Sequence, residues 1–201
     1  DGIYIPEFFI GKNIIHLPTM KTHVFTGMTG AMKNAFGGLL NRNRHWTHSS
    51  IHETLVDLLR IQKQIHPGIF AVTDGTFAGS GSGPRAMSWH EKNIIIAGAD
   101  QVAVDAVSAH MMGFDPMNIP FIRIADESGL GCGEITKIDI LGEDVKNTNW
   151  HFNVGNTFAS KGQKLIYWGP LKPLEKMLLR SWVTPLAYMA SNLYHNQYWL
   201  N

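Results

Sequence analysis

NIIHLPTMKTHVFTGMTGAMKNAFGG, residues 13–38, decides the fold class. It opens with a short apolar run closed by Pro18, the pattern of a buried strand in a parallel sheet. From Thr29 to Leu40 the apolar residues Ala31, Met32, Ala35, Phe36, Leu39 and Leu40 recur at helical spacing, with Gly37 and Gly38 as stop signals near the end. The residues between, from Lys21 on, read as a polar loop at the strand's carboxyl end. Strand, loop, helix is thus the first unit of the chain.

The unit recurs downstream. Ser49 and Ser50 precede an amphipathic pattern through Ile51, Leu55, Leu58, Leu59 and Ile61, with Glu53 placed for a capping box and the helix stopping before Pro67. GIFAVTDG (68–75) reads as a second buried strand ending at Asp74, and TFAGSGSGPRAM (76–87) as a glycine-rich loop leaving it. NIIIAGAD (93–100) is a third strand, followed by a helix over QVAVDAVSAHMM that Gly113 closes. The alternation predicts an α/β fold, a mostly parallel sheet layered with helices, whose polar loops gather at one edge. An α/β domain over residues 1–149 and an aromatic-rich helical C-terminal tail over 150–201 are expected. Pro170, Pro173 and Pro185 punctuate the tail, and Trp168, Trp182, Tyr188, Tyr194, Tyr198 and Trp199 crowd its end. A helix from Leu174 to about Trp182, packing on its own core or on another subunit in a homo-oligomer, is the expectation there.

Composition narrows the function classes. The 201 residues carry 17 Lys plus Arg against 16 Asp plus Glu, so no global field holds nucleic acid or an anionic membrane, and a charged partner must be met by a local cluster. Cys132 is the single cysteine, which excludes an internal disulfide and a cluster held by four cysteines of this chain alone. A reducing, cytoplasmic compartment follows as the expectation. No apolar run is long enough to span a bilayer, so the chain reads as soluble, and the absence of an initiator methionine reads as a fragment.

Two clusters carry the candidate chemistry. Lys21 and His23 precede a helix bearing Lys33 and Asn34, and the intervening Thr29 and Gly30 offer backbone N–H groups at a helix N-terminus, an arrangement suited to a carboxylate or phosphate. Two lysines and a histidine gathered at one sheet edge repel one another unless an anion lies between them. His48 and His52, four apart, share a helix face and are candidate ligands of a divalent metal. Asp74 at a strand end is a candidate base, and Gly81 and Gly83 in the glycine loop are placed to approach a ligand. Asp100 reads as a helix cap. Asp105, inside an apolar helix face, requires a buried partner such as a lysine. Cys132, between two glycines, reads as structural.

PTMKTHVFTGMTGAMKNAFGG, RNRHWTH, AVTDG with GSGP, AGADQVAVDAV, MGFDP and ADESGLG together resemble, in order, the motif series of the family known as domain of unknown function 362, from about Ile14 to Gly131. The resemblance implies a carboxyl-terminal half, a longer amino-terminal part, and association with ferredoxin-like iron–sulfur modules, so that a cluster comes only from a partner or a missing segment. His23, Lys33 and a histidine near His48 are more distantly similar to the nickel-pincer lactate racemases, in which such residues hold an organometallic cofactor. The expectation is an enzyme domain, metal- or cofactor-dependent and of redox or isomerase chemistry, acting on a small anionic substrate at Lys21, His23 and Lys33. The alternative is a non-catalytic anion- or cofactor-binding module of a larger iron–sulfur complex.

Overall fold

The structure, a computed structural model, describes residues 4–41, 44–83, 86–181, 184–186 and 189. Its centre is a mixed sheet. Strands β1 (Ile14–His16) and β2 (Thr19–His23) lie end to end along one edge of the long strand β4 (Ile69–Ser82), both parallel to it, with Ile14 opposite Ile69 and Lys21 opposite Gly79. Pro18 sits at the break, where its missing N–H costs nothing and its carbonyl accepts from the Asp74 N–H at 2.8 Å. Strand β3 (Gly27–Met28) folds back antiparallel on β2, and β5 (Ala86–Gly98) runs antiparallel along the other edge of β4.

Two sequence expectations change here. TFAGSGSG is not a loop but the second half of β4, paired residue by residue with β5 apart from an irregularity between Gly75 and Phe77. Its glycines are packing residues. A Cβ at Gly79 would stand 3.1 Å from the Lys21 Cβ and 2.8 Å from the Met87 Cε, so this is where neighbouring side chains cross the strand. The strand therefore does not end at Asp74. Lys21 and His23 likewise belong to a strand, β2, rather than to the loop after one.

Helices α1 (Ala31–Gly38), α2 (Ile51–Ile65), α3 (Gln101–Met112) and α4 (Pro120–Glu127) bury their apolar stripes in one core, built from Met20, Met28, Met32, Leu55, Leu59, Ala106 and Phe121 among others. Asp100 caps α3 as expected, accepting from the N–H groups of Val102 (2.9 Å) and Ala103 (3.1 Å), and Gly113 closes the helix at φ 98°, a conformation in which other residues are strained. Ser50 is the N-cap residue of α2, but its side chain makes no capping bond, so the capping box does not form. The opposite face of the sheet has no helix on it among the described residues, and Ile15, Phe70, Phe77, Trp89 and Ile95 stand exposed there.

The tail begins by hugging α3, through Trp150 and Phe152 N–H groups donating to the Met111 and Met112 carbonyls at 2.9 Å each. Helices α5 (Phe158–Tyr167) and α6 (Glu175–Arg180) follow. The expected helix from Leu174 is α6. Trp182, Tyr188, Tyr194, Tyr198 and Trp199 lie outside the described residues.

Candidate functional site

The site starts from how α1 is fixed. Asp105 of α3 is fully buried, and its partner is not a lysine but the N-terminus of α1: its carboxylate accepts from the N–H groups of Ala31 (2.6 Å) and Met32 (3.0 Å). Gly30 is required by this contact, because a Cβ there would fall 2.1 Å from the Asp105 Oδ1. Burial pushes the Asp105 carboxyl up to about 7, against the pull of the two N–H donors. The first two amides of α1 are therefore already taken by Asp105, and the Thr29 N–H donates to the Lys21 carbonyl at 2.8 Å. What α1 presents instead is its side chains.

A cavity of about 610 Å³ opens where α1 meets β2. Lys21 and His23, two apart on β2, lie on one side of the strand and line it, together with Thr29, Gly30, Lys33, Asn34, Arg44, His48 and Gly83. No carboxylate is among its described lining residues. Burial, then the charges of Lys21 and Arg44, lowers the Lys33 ammonium to about 8. Its Nζ stands 5.3 Å over the Phe36 ring. His23 is lowered to about 3 by burial, then by Lys33, His48, Lys21 and His52, so its imidazole is uncharged at neutral pH. The N–H groups of Phe25 (3.3 Å) and Thr26 (3.4 Å) converge on its Nδ1, with the Thr26 hydroxyl at 2.9 Å. The two backbone N–H groups cannot reorient and favour Nδ1 as an acceptor with the ring proton on Nε2, while the Thr26 hydroxyl gives its own proton to the Met28 carbonyl at 2.7 Å. Behind the cavity the Asn34 amide nitrogen donates to the Nδ1 of buried His16 (3.4 Å), whose Nε2 donates to Gln62 Oε1 (2.6 Å).

Most of the expected site is thus one place: Lys21, His23, Lys33, Thr29, Gly30, Asn34, Gly83 and His48 share the cavity. Three expected residues do not. Asp74, in the middle of β4, is exposed and bonded to the Thr76 N–H at 2.9 Å; the N–H and hydroxyl of Thr76 hold it below the ordinary carboxylate range. Gly81 is engaged on both its N–H and its carbonyl by the Thr22 hydroxyl, at 3.0 and 2.7 Å. His52 lies outside the cavity lining, stacked on Phe121 and Trp168, its Nδ1 buried without a partner and its pKa lowered chiefly by burial.

The described residues bring no third metal donor to His48 and His52. His48 is packed edge-on to Phe25 and Phe36 and stacked on Tyr167 at 5.3 Å, and among the described residues no three His, Cys, Asp or Glu side chains come together. His23 and His48 do share the cavity with Lys33, the trio of the racemase resemblance, but two imidazoles and an amine without a further donor set do not define a metal centre. The Cys132 N–H donates to Asp100 Oδ2 at 2.8 Å, and its thiol lies 3.6 Å from the Glu134 carbonyl. Sequence reasoning missed His16, Arg44 and Gln163 as site residues. His16 closes the apolar run NIIH, a position where a polar side chain signals a buried partner; Gln163, on α5, carries no local signal at all.

A sequence model of the family described as Domain of unknown function (DUF362) matches residues 5–110, which hold β1 to β5, α1, α2 and most of α3. The chain is 30% identical over 124 residues to the Thylakoid-associated protein sll1697 of Synechocystis sp. (strain ATCC 27184 / PCC 6803 / Kazusa), an alignment covering 58% of this chain and 37% of that protein. The chain thus spans little more than a third of the length of the curated relative it matches. No solved structure matches. The matched segment carries every described cavity-lining residue except Gln163, and the chain belongs to the family of domain of unknown function 362.

Proposed function

We propose that the cavity between β2 and α1 binds a small anionic substrate through Lys21, Lys33 and Arg44, and that Lys33 and His23 carry out proton transfer on it in an isomerase-type or redox-coupled reaction. The observation that carries the reading is a cavity of about 610 Å³ whose described lining holds Lys21, Lys33 and Arg44 and no carboxylate. Like charges gathered without a counter-charge are costly, and an anion relieves that cost. Lys21 and Arg44 serve as the clamp. Neutral His23 offers its Nε2–H as a hydrogen-bond donor without adding to the repulsion, and Lys33, poised near 8, exchanges a proton at working pH. Asn34 steadies the ligand from a position braced by His16. With one cysteine in the chain, an iron–sulfur cluster, where redox chemistry requires one, belongs to a ferredoxin-like partner module, and a reducing cytoplasmic setting suits the free thiol. Among the described residues no helix is long and apolar enough to cross a membrane.

Calorimetric titration of the purified chain with oxalate, malate and inorganic phosphate at pH 7 tests the reading. At least one should bind, and Lys33→Met should weaken that binding at least tenfold. The same variant should be at least as stable as the parent, by on the order of 2 kcal/mol, because it removes an ammonium that burial disfavours. Failure of every anion to bind overturns the proposal. Binding with no proton exchange into the bound ligand favours the non-catalytic module.

A further inference from the structure

Lys33 is built differently from the lysine that a simple anion clamp needs. A clamp works best with water-accessible cationic side chains, such as Lys21 and Arg44. Lys33 instead rises from a helix face whose neighbours Met32, Ala35 and Phe36 are buried. Its Nζ rests over the Phe36 ring, and no carboxylate pairs with it among the described residues. Burial and the neighbouring Lys21 and Arg44 charges favour the neutral amine over the ammonium, and they outweigh the opposing pull of the Phe36 ring face.

We infer that Lys33 is a carbonyl-capturing amine, and that the substrate class of the cavity is a small oxo acid whose carboxylate sits between Lys21 and Arg44 while its ketone forms a Schiff base with Nζ. The inference rests on the anion-binding reading of the same cavity. A desolvated lysine beside other cations is the known physical recipe for an amine nucleophile near neutral pH. With its proton released near 8, a sizeable fraction of Lys33 is neutral at pH 7.5, against about one in a thousand for an ordinary lysine.

The step balances without a further reagent. The neutral Nζ attacks the ketone carbon, the N–C bond forms and the C=O bond opens to a hydroxyl. That hydroxyl then leaves as water, which carries away both hydrogens of the amine, and C=N remains. His23 is placed to donate from Nε2 to the oxygen as it develops charge and departs. Once protonated, the imine withdraws electrons from the neighbouring carbon and loosens a proton there. Such chemistry accommodates isomerisation at a carbon next to a carboxylate-bearing ketone.

Pyruvate with sodium borohydride, followed by peptide mapping by mass spectrometry, is the test. One reduced pyruvate adduct should appear on Lys33, at least tenfold above that on any other lysine. Its rate should rise through a midpoint near pH 8, and Arg44→Met and added oxalate should slow it. Lys33→Arg should abolish it; mapping on the unmodified protein decides the matter should that variant fail to fold. Oxalate carries no ketone and separates the two levels of the argument. Oxalate binding without labelling, or labelling spread evenly over the surface lysines, overturns the Schiff base and leaves the anion site. Labelling of Lys33 that neither oxalate nor Arg44→Met slows overturns the clamp on which the inference stands.

Discussion

At the scale of one residue, Asp105 does more for the site than any residue that lines it. It holds the first turn of α1, and α1 carries Lys33 and Asn34. Nothing in the local sequence names its partner, because Ala31 lies 74 residues away; what is legible is only that an acid on an apolar helix face needs one. Its raised pKa has a thermodynamic consequence. The folded protein keeps the Asp105 proton up to about pH 7, whereas the unfolded chain releases it near 3.8. Between those values the folded state binds more protons, so this group's contribution is complete below 3.8, declines as pH rises through 7, and then levels off. Denaturant titrations at successive pH values should show that decline in the parent and its absence in Asp105→Asn, and a carboxyl resonance should titrate near 7. A flat parent profile between pH 4 and 7, with no such resonance, would falsify the assignment.

The elements show where sequence patterning succeeds and where it stops. The period of α1, α2 and α3, the cap at Asp100 and the stop at Gly113 were readable because each depends on residues within one turn of one another. The second half of β4 was not. Glycine and serine in TFAGSGS give no period-two apolar signal, and their reason, the crossing of Lys21, Met87 and Trp89 over Gly79, lies on other strands. Lys21 and His23 escaped as strand residues on similar grounds, since two polar side chains facing a cavity look the same in sequence as two in a loop. The start of the tail is a further case. Tyr167 and Trp168 at the end of α5 pack edge-on to Phe25 at 5.5 Å each, and Tyr167 stacks on His48, contacts to residues far back in the chain that no local pattern announces. That packing makes α5 a latch over the wall of the cavity. Tyr167→Ala should therefore cost about 3 kcal/mol, lost as faster amide exchange in α5 and around Phe25 while α3 and α4 keep their protection. Uniform loss of protection across the chain would mean that α5 is not a separable latch.

For the molecule as a whole, the arrangement of layers is unusual. Strands with parallel pairing are ordinarily covered on both faces, and here the described helices cover one. On the other face Ile15 and Phe70 stand opposite each other across β1 and β4, Phe77 and Trp89 continue the patch on β4 and β5, and Ile95, 67% exposed, pairs across from Asp74. Cross-strand register places Ile15, Phe70 and Ile95 on one surface and, past the irregularity between Gly75 and Phe77, sets Phe77 beside Trp89, so that exposed apolar side chains run along this face with Asp74 and Glu91 among them. Lys21 faces the same way over Gly79, so the patch adjoins the cavity edge. A surface of this kind binds apolar probes in the native state. Anilinonaphthalene sulfonate should fluoresce with the folded protein, and the double variant Phe77→Lys, Ile95→Lys should remove most of that signal and reduce concentration-dependent light scattering. Because both side chains are already largely in water, the exchange should cost under about 1 kcal/mol and leave anion binding at Lys21, Lys33 and Arg44 intact. Probe fluorescence unchanged in the double variant would place the accessible apolar surface elsewhere. A large loss of stability would instead show that Phe77 and Ile95 are already covered in solution, since only a side chain removed from water has burial energy to lose.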